Sequence, residues 1–559
     1  MIVLGLSDGL HSGAALVVGE RLVASTTQGA LDRAARSKVF PWAAAEDVLQ
    51  AAGLGRSDVD VVAVAGRFTP PLVLRRFPGL RALAGDDPFN PALDAHVAYQ
   101  AALRWSGVGA FQEDQTAAWF HQLLKKRSFD PRRVVMVDMH RALAEAAYRS
   151  QPHDRVLAIT AHPKADGAGL AVFQASGGLL VPLFRDSALS TLHTHLQRCS
   201  AAVGLDPVSQ VPLLWALAGR GTPDAALVDR LVRRLTSVGR RPSRRAYPIP
   251  QDLPLANSVF DDLRQADPEV AAASVLQNLV EALGGVVRSH ALRHGATRVV
   301  LGGQLFDSPR LVGRIADGLD VDELFVLPEP GAASLPLGAA FDVAGPAPRR
   351  LDGPGLGREY DDAQCELALR AAVLAPSSTD DPVGRAVDCL VKGCGVARFV
   401  GPGAAGHWGG GSRTVLVRAD DPEAVARVRA SLERDPREEA GCLWDGRTGD
   451  LLGAERVEGA LRLGSVALRA DDAFAAAHPA VIAPDGRVNA RRVDPEDDPS
   501  LYEILERLRE RTGCGALAAF ALGLGGEPPA ARPADAVRAW RRGGLPALLL
   551  GTHLVEANR

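Results

Sequence analysis

MIVLGLSDGLHSGAALVV, residues Met1–Val18, is the stretch whose reading decides the fold. Two apolar runs, Ile2–Leu6 and Ala14–Val18, flank Ser-Asp-Gly-Leu-His-Ser-Gly, a segment dense in residues that turn a chain. The pattern predicts strand, turn, strand. With no basic segment ahead of the first run and no small-residue cleavage site, it is expected to be structure and not a leader. Outward from this hairpin, helical patterns follow, and strand-like runs recur at Val59–Val64, Val134–Val137 and Val156–Thr160. Strands alternating with helices predict an α/β class.

The pattern continues with a helical stretch over Ala271–His290, a buried strand at Arg298–Gly302 closed by Gly302-Gly303, and another strand at Glu323–Leu327. Pro328–Ala340 then leads into a short helix. AGPAPRRLDGPGLG, Ala344–Gly357, is a linker by its proline and glycine content. It divides the chain into a first domain at 1–345, a linker at 346–357 and a second α/β domain at 358–559. The second carries helical stretches at Ala424–Glu433 and Leu501–Arg511 and a strand-like run at Leu545–Leu550.

A chain of 559 residues is long enough for two cores. A net charge of −3 with 23% charged and 47% hydrophobic residues argues against disorder and against bulk attraction to nucleic acid. Only five of the basic residues are lysine, a bias attributed to genome composition. The six cysteines include no CxxC pair, so neither a zinc knuckle nor a disulfide framework is expected, and a reducing cytoplasm is the default location. No apolar run is expected to span a membrane.

The first hairpin resembles the opening of the antibiotic and nodulation-factor O-carbamoyltransferases, with His11 at the family's turn histidine. Further similar segments occur in order: VVMVDMHRALAEAAY, VLAITAHPKADGAGLAVF, RVVLGGQLFDSPRLVGRI, DELFVLPEPGAASLPLGAA, VARFVGPGAAGHWGGGSRTVLV and GGEPPAARPADAVRAWRRGGLPALLLGTHLV. Ordered agreement over nearly the whole chain is far more specific than a lone glycine motif. The resemblance implies an actin-like ATPase N-terminal domain, related to the threonylcarbamoyl-transfer enzymes, and a YrdC-like C-terminal domain. In active relatives the second domain joins carbamoyl phosphate to ATP, and the first uses iron to pass the carbamoyl group to a hydroxyl.

The positions of that chemistry hold different residues here. The family's metal is implied to sit on two histidines at i and i+4 of one helix, which share a face, plus an aspartate from a later glycine-rich loop. Those positions fall on Met139, Leu143 and Ala332. His140 lies between them but about 100° away around the helix, and His162 falls near a family aspartate. Asp166 matches another family aspartate, or simply makes an Asp-Gly turn.

In the second domain, the family's glutamate and second arginine become Ala404 and Trp408, while Arg413 and Thr414 remain. Glu438 stands at an arginine position, and Ala519, Ala521 and Gly523 stand where relatives carry Asn, Ser and Asn. Charge-assisted hydrogen bonds contribute roughly 1.5–3 kcal/mol each. Losing about four would cost on the order of 6–12 kcal/mol if they were additive, which neighbours are not.

Other candidates carry two readings each. His11 is a general base or a turn-stabilising histidine. Gly302, Gly303 and Gly331 admit a nucleotide or make turns. His193 and His195, two apart, would face opposite sides of a helix. Arg240–Arg245 binds an anion or is a solvated loop. Trp408, beside His407, fills a vacated pocket or offers a flat apolar surface.

These observations lead to three expectations: a family member without catalytic centres, acting as a pseudoenzyme or supporting subunit; a divergent transferase using His11 and Asp166; or a small-molecule-binding module. ATP and iron are expected as cofactors only if the family activity is retained. The expected partner is an intact paralogue or a second copy of the chain, with neither nucleic acid nor membrane involved.

Overall fold

The computed structural model describes residues 1–557 except 10, 36, 78–98, 101, 105, 187–191, 208, 237–257, 346–350, 352, 378 and 407. Arg240–Arg245, His407, Leu10 of the first turn and most of the start of the linker therefore lie outside the described residues. The chain separates into two compact units, one of Met1–Val23 with Lys38–Arg350, the other of Ala24–Ser37 with Leu351–Arg559.

One strand order occurs twice before the linker. The opening sheet is built from β1 (Ile2–Ser7), β2 (Gly13–Val18), β3 (Arg21–Thr27), β4 (Val61–Ala65) and β5 (Arg133–Val137), ordered β3-β2-β1-β4-β5. The second is built from β6 (Val156–Ala165), β7 (Ala168–Ser176), β8 (Leu179–Arg185), β9 (Arg298–Gly302) and β10 (Glu323–Val326), ordered β8-β7-β6-β9-β10. In both, the first strand pairs antiparallel with the second and parallel with the fourth, and the fourth pairs parallel with the fifth. This duplicated third-second-first-fourth-fifth order is the actin-like ATPase arrangement.

The predicted hairpin forms as β1 and β2, with Gly5 opposite Ala15. His11 in its turn takes a left-handed conformation, φ 56°. Helix α1 (Met139–Arg149) follows β5 and packs against helix α3 (Leu335–Ala344). Their approach depends on glycine, because a Cβ on Gly338 would lie 1.7 Å from the Ala142 carbonyl oxygen. Helix α2 runs over Pro268–His294, with Asp267 capping its start and Gly295 its end. Contrary to expectation, α2 is long and apolar enough to cross a membrane; 67% of its most apolar window is buried inside the fold, as in a core helix.

The second unit is built on a nine-stranded mixed sheet. Its strands are β11 (Val396–Phe399), β12 (Arg413–Arg418), β13 (Gly441–Trp444), β14 (Leu451–Leu452), β15 (Val466–Ala470), β16 (Arg487–Arg492), β17 (Ala516–Ala521), β18 (Ala547–Leu550) and β19 (His553–Glu556). They are ordered β14-β15-β16-β13-β17-β12-β11-β18-β19. Helices α4 (Pro382–Val391) and α5 (Pro499–Thr512) pack on each other and bury Val387, Leu390, Leu501 and Leu505 in a core shared with Leu416, Leu443 and Leu517.

Candidate functional site

Asp138 ends β5 and caps α1, accepting the Arg141 amide at 3.1 Å. The same carboxylate meets Arg104 at 3.0 Å and Arg185 at 2.8 Å. Its pKa stands near 6, raised by burial first and then by Asp166, and lowered by the guanidinium of Arg104.

Asp166 occupies the turn between β6 and β7 with φ 48°, and is fully buried. Its carboxylate accepts four backbone amides: Arg67 at 3.0 Å, Phe68 at 2.7 Å, Thr69 at 2.9 Å and Met139 at 2.8 Å. Its own amide donates to the Thr69 hydroxyl at 3.1 Å, and Arg104 holds its carbonyl oxygen. Both carboxylate oxygens are thus engaged in joining three chain segments, which leaves them poorly placed to take a substrate proton.

His140 is buried, with Nδ1 2.8 Å from the Thr160 hydroxyl and Nε2 3.2 Å from the Ala168 carbonyl. A carbonyl oxygen only accepts, so Nε2 carries the proton and Nδ1 accepts from Thr160. Burial lowers its pKa to about 4. His162 is likewise buried and accepts the Gln304 amide on Nδ1 at 3.2 Å. Its pKa is held well below the ordinary value by burial, and further by the charge that His140, His193 or His11 would carry. His11 itself is half-buried. Both His193 and His195 are buried in the helix Leu192–Ala202, and His195 meets Asn278 at 3.1 Å.

Met139, Leu143 and Ala332 are 7%, 1% and 9% exposed. Two offer hydrocarbon and the third a soft thioether, so this set does not fit an iron centre that wants imidazole and carboxylate. Among the described residues no group of three or more His, Cys, Asp or Glu side chains is placed to hold a metal ion.

The glycines also face their own chain. A Cβ on Gly303, where φ is 103°, would lie 2.2 Å from the Ala161 carbonyl oxygen; on Gly302, 3.0 Å from that of Leu143; on Gly331, 3.2 Å from the Gln304 Cα. Close packing of backbone on backbone is reason enough for these glycines.

In the second unit, the loop before β12 is held from beneath by arginines. Arg413 is 1% exposed and donates to the carbonyls of Val400 at 3.2 Å, Ser412 at 3.0 Å and Gly401 at 2.7 Å, while its guanidinium lies 3.7 Å over the Phe399 ring. Burial first, then Arg398, lowers its pKa to about 9. The Thr414 hydroxyl donates to the Trp408 carbonyl at 3.1 Å and accepts the Gly411 amide at 2.9 Å.

Arg398 and Arg491 were not among the residues singled out from sequence. Arg398, within β11, forms a bidentate pair with Asp498 at 2.7 and 3.0 Å and donates to the Gly411 carbonyl at 2.6 Å. Arg491, in β16, donates to the Gly410 carbonyl at 2.5 Å. For Arg398, an arginine inside an otherwise apolar strand was the available signal, because buried charge requires a partner.

Trp408 is 7% exposed and belongs to the core containing Leu443, Leu501 and Ala519. Its indole lies where a Cβ on Gly441 or Gly464 would come within 2.4 or 2.6 Å. It fills a pocket instead of presenting a flat surface. Glu438 pairs with Arg434 at 2.8 Å, and Arg434 also donates to the Ala521 and Gly523 carbonyls at 3.0 and 3.3 Å. Ala404 lies in an isolated bridge with Gly355.

Residues 387–557 match the family model described as the carbamoyltransferase C-terminus. The chain carries a carbamoyltransferase C-terminal domain. It is 26% identical over 298 residues to the nodulation protein NolO of Bradyrhizobium diazoefficiens, covering 50% of this chain and 54% of that protein. In that match the chain spans about half of the relative's length. It is also 23% identical over 593 residues to the nodulation protein NolNO of Sinorhizobium fredii, covering 100% of this chain and 82% of the relative. An uncharacterized protein of Synechocystis is 21% identical over 612 residues, covering 98% of this chain and 95% of its own. A ROK family glucokinase from Streptomyces griseus, 17% identical, covers 61% of this chain and 98% of its own with a TM-score of 0.29. A ROK hexokinase from Thermus thermophilus gives the same identity and coverages with a TM-score of 0.27. The fold assignment rests on the strand orders above.

Proposed function

We propose that this carbamoyltransferase-family protein works without the family's iron-dependent transfer chemistry, as a non-catalytic subunit supporting an intact relative. The observation that carries this is one helix face. At the implied ligand positions, Met139 and Leu143 bury apolar side chains, while Asp166 beside them engages both oxygens with backbone amides. Neutral His140 and His162 are already bonded to their own chain.

The test is metal content together with ATP-dependent consumption of carbamoyl phosphate by the purified protein, alone and mixed with an intact paralogue. Expected are no bound iron, no turnover alone, and a rise in the paralogue's activity on mixing. One equivalent of iron with adenylate formed by this chain alone would overturn the proposal and establish a divergent transferase.

A second reading draws support from Arg413, a buried guanidinium whose hydrogen-bond partners among the described residues are carbonyl oxygens. It favours a small-molecule-binding module that holds a phosphate-bearing ligand without turnover. Thermal stabilisation by carbamoyl phosphate or ATP, with no turnover and no effect on a paralogue, would favour it over the first.

A further inference from the structure

Helix α4 ends in a Schellman cap. Lys392 is the C-cap and Gly393 follows in the left-handed conformation, φ 71°. The Gly393 amide donates to the Leu390 carbonyl at 2.9 Å, and the Cys394 amide donates to the Cys389 carbonyl at 3.1 Å. In this motif the residue three before the cap and the residue two beyond it bring their side chains together, usually as an apolar contact. Here both positions are cysteine.

The 3.1 Å bond limits their separation. Standard lengths from donor nitrogen and acceptor oxygen to the respective Cα atoms hold the two Cα within about 7 Å. Bridged cysteines span about 4.4–6.8 Å. Each thiol also lies within electrostatic reach of the other, since Cys394 pushes the Cys389 pKa up after burial does, and Lys392 and Arg385 pull it down. The chain's other cysteines, Cys199, Cys365, Cys442 and Cys514, are buried, whereas Cys389 and Cys394 are half-exposed. The pair therefore combines proximity with access to a small oxidant.

We propose that Cys389 and Cys394 are a dithiol site for thiol–disulfide exchange, closing to an intramolecular disulfide across the C-terminal cap of α4. The oxidant is a low-molecular-weight disulfide such as glutathione disulfide. One cysteine thiolate attacks a sulfur of the oxidant and expels a glutathione thiolate, leaving a mixed disulfide. The second thiolate then attacks the protein sulfur of that mixed disulfide and expels the other glutathione. Two protein S–H bonds are lost, one protein S–S bond forms, and one disulfide of the oxidant is reduced to two thiols. Because the thiolate is the reacting form and burial, Cys394 and Glu556 push the Cys389 thiol up against Lys392 and Arg385, closure speeds up as pH rises above neutral. The bond would tie the end of α4 to the segment entering β11.

The experiment incubates the full native chain in glutathione buffers of increasing oxidation, quenches with acid, and maps alkylated peptides by mass spectrometry. Expected is a fall from six free thiols to four, with a peptide joined between Cys389 and Cys394, reversed by excess reduced glutathione. Cys389→Ser and Cys394→Ser should each block the internal bond and trap glutathione on the remaining cysteine. Six free thiols in fully oxidised buffer, glutathione stopping on single cysteines of the wild type, or a disulfide between two copies of the chain would each overturn the proposal.

Discussion

Replacing Asp166 by alanine separates an anchoring carboxylate from a reacting one. The side chain accepts amides from Arg67, Phe68, Thr69 and Met139 at 2.7–3.0 Å, and Asp166 is fully buried. Truncation orphans all four donors, each at about 1–3 kcal/mol, so the additive ceiling is about 4–12 kcal/mol. The donors share one acceptor and water can enter the space, so the expected loss is about 3–5 kcal/mol. That is a large part of a domain's usual stability of about 5–15 kcal/mol. Asp166→Asn keeps one oxygen but turns an amide donor toward amide donors, and is expected to lose about 1–3 kcal/mol. Urea unfolding gives the total, and hydrogen exchange read on peptides covering residues 66–69 and 138–140 localises it. Exchange should rise at both segments together, although 97 or more residues separate Asp166 from the first. A variant within about 0.5 kcal/mol of wild type with unchanged exchange there would refute the anchoring role.

Trp408→Ala empties the space against Gly441 and Gly464 and should cost about 3–5 kcal/mol; a smaller loss would mean the loop collapses into the gap. Trp408→Arg should be at least as damaging, because the new charge enters a core containing Leu443 and Leu501. The His140 pKa of about 4, below the ordinary 6.5, means the unfolded chain takes up a proton that the folded one refuses between those values. Stability therefore falls as pH drops from 6.5 to 4, with this group contributing at most about 1.4 kcal/mol per pH unit. His140→Gln retains a donor for Ala168 and an acceptor for Thr160, and should flatten the dependence in that window; an unchanged slope in urea titrations would contradict the assignment.

The opening hairpin was legible because its two apolar runs and their turn are local, and they appear as β1 and β2 within a residue of the predicted ends. The repeated strand order was not legible, since β6 must pair with β9 across more than a hundred intervening residues. Asp166 read from sequence as a turn or a catalytic group; nothing near it pointed to amides at 67–69, which only the folded chain brings to it. Arg398 and Arg491 were hidden differently. Arg398 sits in an otherwise apolar strand and Arg491 in one that holds two further arginines, and their partners, the carbonyls of Gly411 and Gly410, lie in a loop that only the folded chain brings to them.

Trp408, Glu438 and Leu143 also share a physical character. A site that merely decays leaves unfilled volume and orphaned polar groups, because removing a ligand-binding side chain does not repack its surroundings. Here Trp408 occupies its space closely enough that neither Gly441 nor Gly464 has room for a Cβ. Glu438 is matched by Arg434, whose other donors reach the carbonyls of Ala521 and Gly523. In the first unit, Leu143 is 1% exposed beneath the close approach of Gly302. Trp408 and Leu143 are packed and Glu438 is paired, so these side chains add to the stability of the fold instead of subtracting from it.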